Sequence, residues 1–316
     1  MGLRWAIVGT GAISAKFVAG LTASHASRAE LVVSRTQENG ARFAGAFGIP
    51  RAMDASHIDR LDGVDVAYIA VPPAEHARIA IACLEAGTPV LIEKPMAASA
   101  AQARRIADAA HAAGLFCMEA MWTRFLPAAR RLKELVDSGA FGEIHQVAGS
   151  FASSNRVDVA DGRFDPAHGG GALAQLGAYP LSLAHWLFGA PERVHAAGRI
   201  GATGVDEDVA LALRYPGGVT GSFHASLRTG GSNGFSVHGT HGHAAFAGPI
   251  FRPHGLRRHG YAPRRRPGAA AALAPRARLR EKGGGAEIGA ASGSDAGQGQ
   301  AGIAPLRRQW LSLSGG

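Results

Sequence analysis

Short apolar runs alternate with stretches of helical spacing through residues 1–120. Trp5 to Val8, Leu31 to Val33, Val66 to Val71, Val90 to Ile92 and Leu115 to Met118 are continuous and partly β-branched, as suits strands covered on both faces of a parallel sheet. Between them, Ile13, Phe17 and Leu21 recur every four residues, and Ile79 to Leu84 lies in an alanine-rich helical stretch. Ser99-Ala-Ala-Gln102 reads as a capping box for a helix ending near Gly114. This regular alternation predicts an α/β domain with a doubly wound, Rossmann-type parallel sheet.

From residue 121 the pattern changes. Leu126, Ala129, Leu132 and Val136 mark an amphipathic helix stopped by Gly139, and another helix is expected over Leu173 to Phe188. Leu211 to Tyr215 and Val219 to Ala225 flank the turn Pro216-Gly-Gly218, and Phe235 to His238 precedes Gly239-Thr-His-Gly242, so consecutive antiparallel strands follow. Residues 121–258 therefore read as an α+β domain on a mostly antiparallel sheet. From His259 the periodicity collapses. Ala, Gly, Arg and Pro make up 37 of the last 58 residues, a low-complexity composition expected to stay disordered. The same mixture is what GC-rich coding DNA yields when read in a shifted frame.

At 316 residues the chain is long enough for two domains. No stretch of 18 apolar residues occurs and the first strand runs straight into a glycine turn, so neither a membrane span nor export is expected. Cys83 and Cys117 form no C-x-x-C pair; they read as buried bystanders in a reducing cytoplasm. The net charge of +9 is local: residues 1–251 carry 21 Lys and Arg against 21 Asp and Glu, and residues 252–316 carry 12 against 3. A neutral body offers no phosphate-backbone track, which disfavours a nucleic-acid partner.

Gly9-Thr10-Gly11-Ala12-Ile13-Ser14 follows the first strand and opens the first helix. That is the setting of a dinucleotide fingerprint: Gly9 permits the turn, Gly11 lets a pyrophosphate approach the backbone, and the helix N-terminus faces the anion. Ser14 stands where a third glycine would be. After the second strand, Ser34-Arg35-Thr36 suits a 2′-phosphate better than a ribose hydroxyl, which favours NADP(H) over NAD(H), although a solvated Arg35 is the plain alternative.

Glu93-Lys94-Pro95 closes another predicted strand at the carboxyl edge, where doubly wound sheets hold ligands. A lysine there can donate to a substrate oxygen or tune a neighbouring acid, and a surface lysine after a strand is its bland reading. Gly169-Gly-Gly171 precedes a helix on which Gln175 and Tyr179, four apart, share a face; the glycines allow close approach to a ligand. A tyrosine beside an ammonium is a workable proton donor, its pKa drawn from about 10 toward neutrality, unless it is simply a core tyrosine bonded to backbone.

In order and combination these segments resemble the glucose-fructose oxidoreductase and inositol dehydrogenase family, Gfo/Idh/MocA. The likeness runs from residue 3 to about 252 and includes Val71-Pro72 followed by His76, and Gly177 beside Tyr179. Met118-Glu-Ala-Met-Trp122-Thr-Arg124-Phe-Leu-Pro127 is similar to the dimeric dihydrodiol dehydrogenase branch, which includes sugar dehydrogenases. The resemblance implies that Lys94 and Tyr179 form the catalytic pair and that Trp122, Arg124 and Gln175 contact substrate. It implies that Gly9, Thr10, Gly11, Ala12, Ile13, Ser34, Arg35, Val71, Pro72, His76, Glu93 and Lys94 hold the coenzyme. It also implies an NADP-binding domain joined to a sheet domain whose open face makes a homodimer. Two features depart from the family pattern: Gln175 replaces the usual aspartate, and residues 259–316 lack the usual helical and sheet-completing continuation.

His238, His241 and His243 straddle a predicted turn without a Cys or carboxylate partner; they read as solvent-facing, and no metal is expected. Asp206-Glu207-Asp208 reads as a solvated acidic loop. The leading interpretation is a cytoplasmic, NADP-dependent oxidoreductase moving hydride between nicotinamide and the carbinol carbon of a diol, sugar or related hydroxylated small molecule. The alternatives are a nucleotide-binding protein of the same fold that has lost catalysis, and a basic-tailed nucleic-acid binder whose affinity falls steeply with salt.

Overall fold

The computed structural model describes residues 2–24 and 26–261. The disordered and shifted-frame readings of the tail lie, from residue 262 onward, outside the described residues. The first sheet is wholly parallel: β1 (Leu3–Val8), β2 (Ser27–Ser34), β3 (Arg51–Asp54), β4 (Val66–Ile69), β5 (Val90–Ile92) and β6 (Cys117–Glu119), in the order β3-β2-β1-β4-β5-β6. The strand order reverses direction between β1 and β4, so their carboxyl ends frame the crevice where such sheets bind ligands.

Helices α1 (Ala12–Ser24) and α2 (Gln37–Phe47) cover one face, packing Val18 and Phe43 on Ile7, Val32 and Tyr68. Helices α3 (Pro73–Glu85) and α4 (Ala100–Ala113) cover the other, with Ala80 and Ile106 on Val8, Val33, Ile69 and Ile92. Alternate residues of each strand thus reach opposite cores, which is why the strands read as continuous apolar runs. The Ser99 hydroxyl accepts the Gln102 N–H, and left-handed Gly114 closes α4. Helix α2 and strand β3 escaped the pattern. The helix carries two interior glycines, Gly40 and Gly45, and β3 is a four-residue edge strand bearing Arg51 and Asp54.

The second domain comprises α5 (Pro127–Asp137), β7 (Ile144–Ala152), a π-helical turn (Leu173–Gly177) leading into α6 (Ala178–Phe188), and then β8 (Arg193–Ile200), β9 (Asp206–Arg214), β10 (Thr220–Ser226), β11 (Phe235–Gly239), β12 (Gly242–Ala247) and β13 (Gly255–Gly260). Their order is β13-β12-β11-β7-β10-β9-β8, with β7 and β10 parallel and the other neighbours antiparallel. Leu132, Leu183 and Ala184 pack on Val147, Phe223, Phe235 and Val237, burying one face. The opposite face presents small side chains, among them Ala148, Ser150, Ser222, Ser236 and Ala245. Gly149 lets α6 lie close to the sheet, since a Cβ there would come 2.8 Å from Pro180. Tyr179 is thereby brought edge-on to Phe151, with ring centres 5.2 Å apart.

Three sequence expectations need correction here. Strand β13 continues two residues past 258, because an edge strand is held by main-chain pairing with β12 rather than by an apolar pattern. Asp206, Glu207 and Asp208 open β9 and are not a solvated loop. Glu207 is only 3% exposed and pairs with Arg228 at 2.9 Å and Arg199 at 3.3 Å, partners that lie beyond β10 and on β8. His238 and His243 face each other across β11 and β12, and His243 stacks on His259 of β13; of the three, His241 occupies the turn. Among the described residues no group of three or more His, Cys, Asp or Glu gathers as a ligand set, and no helix is long and apolar enough to cross a membrane.

Candidate active site

The chain leaves β1 through Gly9, whose φ is +105°; a Cβ would lie 2.4 Å from the Ala70 oxygen, so β1 and β4 meet too tightly there for another residue. Gly11 faces open space, with nothing within 4 Å of its missing side chain. Beyond it, the N–H groups of Ala12, Ile13 and Ser14 have no intrahelical acceptor, and the first turn of α1 carries no acidic side chain. A tight turn, an open glycine and an uncapped positive helix end fit a dinucleotide pyrophosphate. At the end of β2, Ser34 is buried and the Thr36 hydroxyl caps α2, whereas Arg35 is exposed and in no ion pair among the described residues. Val71 and Pro72 follow β4 along the same edge.

Glu93 and Lys94 follow β5 and meet the second domain. The Lys94 ammonium donates to the main-chain oxygen of Gln175 at 2.9 Å and to its Oε1 at 3.4 Å, and lies 5.5 Å from the centre of the Tyr179 ring. The acceptor oxygen is free for a local reason. In π-helical spacing the partner of Gln175 is the N–H five residues on, and that residue is Pro180, which has none. Burial pushes the Lys94 pKa down, opposed by the carboxylates of Glu93 and Glu119. Glu93 accepts the Tyr68 hydroxyl at 2.6 Å and the Lys94 N–H at 3.1 Å, while Glu119 accepts the Met96 N–H at 2.9 Å.

The expectation for Tyr179 is overturned in sign. Burial raises its pKa, the Trp122 indole works in the opposite direction, and Glu93 adds to the rise; the Lys94 ammonium lies 5.5 Å from the ring centre.

Tyr179, Trp122, Glu93 and Ile13 border a cavity of about 960 Å³ that runs along the flank of α1 past Phe17, Tyr68 and Leu91. Phe125, Phe151 and Phe251 make much of its wall aromatic, with Arg252 at its margin. The glycine turn does not line this space.

Several expected contacts are spent within the protein. Gln175 uses Oε1 on Lys94 and Nε2 on the Gly169 oxygen, and Arg124 donates to the Ser182 hydroxyl at 2.8 Å and its carbonyl at 3.1 Å; neither borders the cavity. His76 is fully buried between the Val71 and Pro95 carbonyls, where it ties two loops of the coenzyme edge together rather than facing a ligand. Gly169 to Gly171 serve close chain packing. Side chains there would strike Pro73, Arg163 and Asp206.

Sequence reasoning missed Tyr68, Glu119, Phe151, Phe251 and Arg252 as site residues. Glu119 had a signal, since it directly follows the predicted strand Leu115 to Met118, as Glu93 follows Val90 to Ile92. The aromatic wall had none, because its members come from separate elements.

The family models agree with this architecture. Residues 3–121 match the oxidoreductase family with an NAD-binding Rossmann fold, and residues 129–245 match the GFO/IDH/MocA C-terminal domain. The chain belongs to the GFO/IDH/MocA family of oxidoreductases. Among relatives of this GFO/IDH/MocA protein, trans-1,2-dihydrobenzene-1,2-diol dehydrogenase of Bos taurus is 38% identical over 259 residues, covering 80% of this chain and 76% of that one. A 3-ketoreductase from Actinomadura kijaniata, solved with NADP and TDP-benzene, superposes with a TM-score of 0.73 at 25% identity, covering 82% and 84% of the two chains. GenD2 from gentamicin A biosynthesis, solved with NAD, gives 0.70 at 30% identity over 77% and 72%.

Proposed function

We propose that this GFO/IDH/MocA protein is an NADP-dependent dehydrogenase that interconverts a carbinol and a carbonyl on a diol, sugar or related small molecule. The observation that carries this reading is the meeting of Lys94 and Tyr179 across the two domains, at the carboxyl edge of a nucleotide-binding sheet and beside a large cavity. The dihydrodiol dehydrogenase relatives support the substrate class. The exposed guanidinium of Arg35 supports a coenzyme bearing a 2′-phosphate.

The coenzyme, when bound, supplies or accepts hydride at its nicotinamide C4. In the oxidation direction the substrate hydroxyl must also lose a proton. Lys94 is the group suited to take it, because burial favours its neutral amine. Tyr179, whose proton is held more firmly than usual, donates a hydrogen bond to the substrate oxygen without ionising. Reduction reverses these steps: Lys94 returns the proton as the carbonyl becomes an alcohol. Trp122 and the aromatic wall give the substrate an apolar surface to pack against.

Fluorescence titration with NADPH and NADH, followed by nicotinamide absorbance with a panel of diols, aldoses and ketoses, tests the reading. Lys94→Ala should abolish turnover while leaving NADPH binding, and Tyr179→Phe should reduce it. Tight NADPH binding with no turnover on any compound would instead make this a non-catalytic nucleotide-binding protein. The open sheet face also supports a homodimer, since its small side chains permit close approach by a second copy. Sedimentation equilibrium should return twice the chain mass, and Ser222→Arg should return the monomer.

A further inference from the structure

Lys94 stands near two carboxylates and pairs with neither. Among the described residues its ammonium takes part in no ion pair and donates only to oxygens of Gln175. Each carboxylate is tied elsewhere. Glu119 holds the Met96 N–H, and Glu93, the immediate neighbour of Lys94, is held on one oxygen by the Tyr68 hydroxyl at 2.6 Å and on the other by a main-chain N–H.

Tyr68 is a stiff anchor for that purpose. It is buried in β4, and its ring stacks on Phe17 with centres 3.8 Å apart and planes 13° apart; Phe17 in turn meets Trp5 edge-on. The remaining titratable and charged groups around the lysine are engaged too. His76 of α3 lies between two carbonyls, Tyr179 of α6 lies under the ammonium, and Arg124 is held by Ser182. Among the described residues, Tyr68 supplies the one side-chain donor on Glu93.

We propose that Tyr68 is a positioning residue for Lys94: its hydroxyl tethers Glu93 and keeps that carboxylate off the adjacent ammonium, which is left on neutral oxygens. Removing the tether frees Glu93 to swing onto Nζ, and an ion pair there stabilises the ammonium. The amine then forms only at higher pH. This rests on the reading of Lys94 as the proton-handling group, yet its test needs no substrate.

The test is competitive acetylation of the full-length protein with acetic anhydride across a pH series, with Lys94 labelling read by peptide mass spectrometry. Tyr68→Phe should raise the labelling midpoint of Lys94 by about one pH unit, a tenfold change in proton affinity. Glu93→Gln should lower it, and in the double variant Tyr68→Phe should no longer raise it. A merely structural tyrosine would not show this dependence on Glu93.

An unmoved midpoint in a folded Tyr68→Phe protein that still binds NADPH overturns the proposal, as does an equal rise in the double variant. If Tyr68→Phe does not fold, Phe17→Leu, which removes the ring stacked on Tyr68 and loosens its hold on Glu93, decides: a raised midpoint supports the tether, and an unmoved midpoint overturns it. A shifted midpoint in a protein inert toward every diol and sugar would leave the tether standing and remove only the proposed reaction.

Discussion

The Lys94 ammonium rests on the main-chain oxygen of Gln175, 2.9 Å away, across the junction of the two domains. A residue of the nucleotide-binding sheet is thus oriented by the backbone of the second domain, so the placement of its ammonium depends on both. The contact also explains how an amide can occupy a position where the family usually carries an acid. The carbonyl supplies the stronger bond, and the side chain adds a longer one.

Gln175→Asp would put a charge where Oε1 now faces Nζ at 3.4 Å. A carboxylate favours the ammonium, so Lys94 would lose its proton at higher pH, and the pH profile of oxidation should move alkaline by about 1–2 units. Measurement of kcat against pH checks this. A profile superimposable on that of the parent would show that Lys94 does not set it.

Arg35→Ala addresses the coenzyme. A charge-assisted contact with a 2′-phosphate contributes about 1.5–3 kcal/mol, so NADPH affinity should fall about ten- to a hundredfold with NADH affinity unchanged. Equal loss for both coenzymes would point to a general effect on the β2 edge, and a parent preference for NADH would remove Arg35 from the site.

The two loop glycines should separate folding from binding. Gly9→Ala forces a side chain to 2.4 Å from the Ala70 oxygen at a φ of +105°. It should cost about 2–4 kcal/mol of stability and lower Tm by roughly 10 °C. Gly11→Ala meets no atom within 4 Å and should leave Tm nearly unchanged while weakening NADPH binding. Thermal melts and coenzyme titration of both variants check the contrast. A large Tm loss in Gly11→Ala would contradict it.

The parts of this molecule legible in sequence are those where neighbours along the chain do the work. The turn at Gly9, the cap at Ser99 and the buried strand runs all write their physics into adjacent residues. The site is less legible because it is assembled from a distance. Nothing near position 175 announces that its carbonyl will meet Lys94. The acidic run at Asp206 misled for the same reason, its cations lying on β8 and beyond β10. Resemblance placed His76 and Arg124 among ligand contacts, yet the His76 ring lies between the Val71 and Pro95 carbonyls, donating to one of them when neutral, and Arg124 donates to Ser182.

Stability should respond to acid in two stages. Burial lowers the pKa of His76, and burial together with His243 lowers that of His238, so the native protein resists protonating rings that the unfolded chain protonates below about pH 6.5. The unfolded state then binds more protons, and the sign of the linkage makes stability fall as pH drops below that value toward the native pKa values. Lower still, Asp65, held down to about 2 chiefly by hydrogen bonds from Arg4, contributes stability that is present above its unfolded pKa of about 4 and lost as pH falls toward 2. Thermal melts should therefore show Tm level near neutrality, a first decline below about pH 6.5 and a second below about pH 4. In His76→Gln the first decline should be shallower, whatever the variant's Tm at neutral pH. A Tm that rose between about pH 7 and 5.5 would mean that these histidines gain protons on folding, the reverse of what their burial requires.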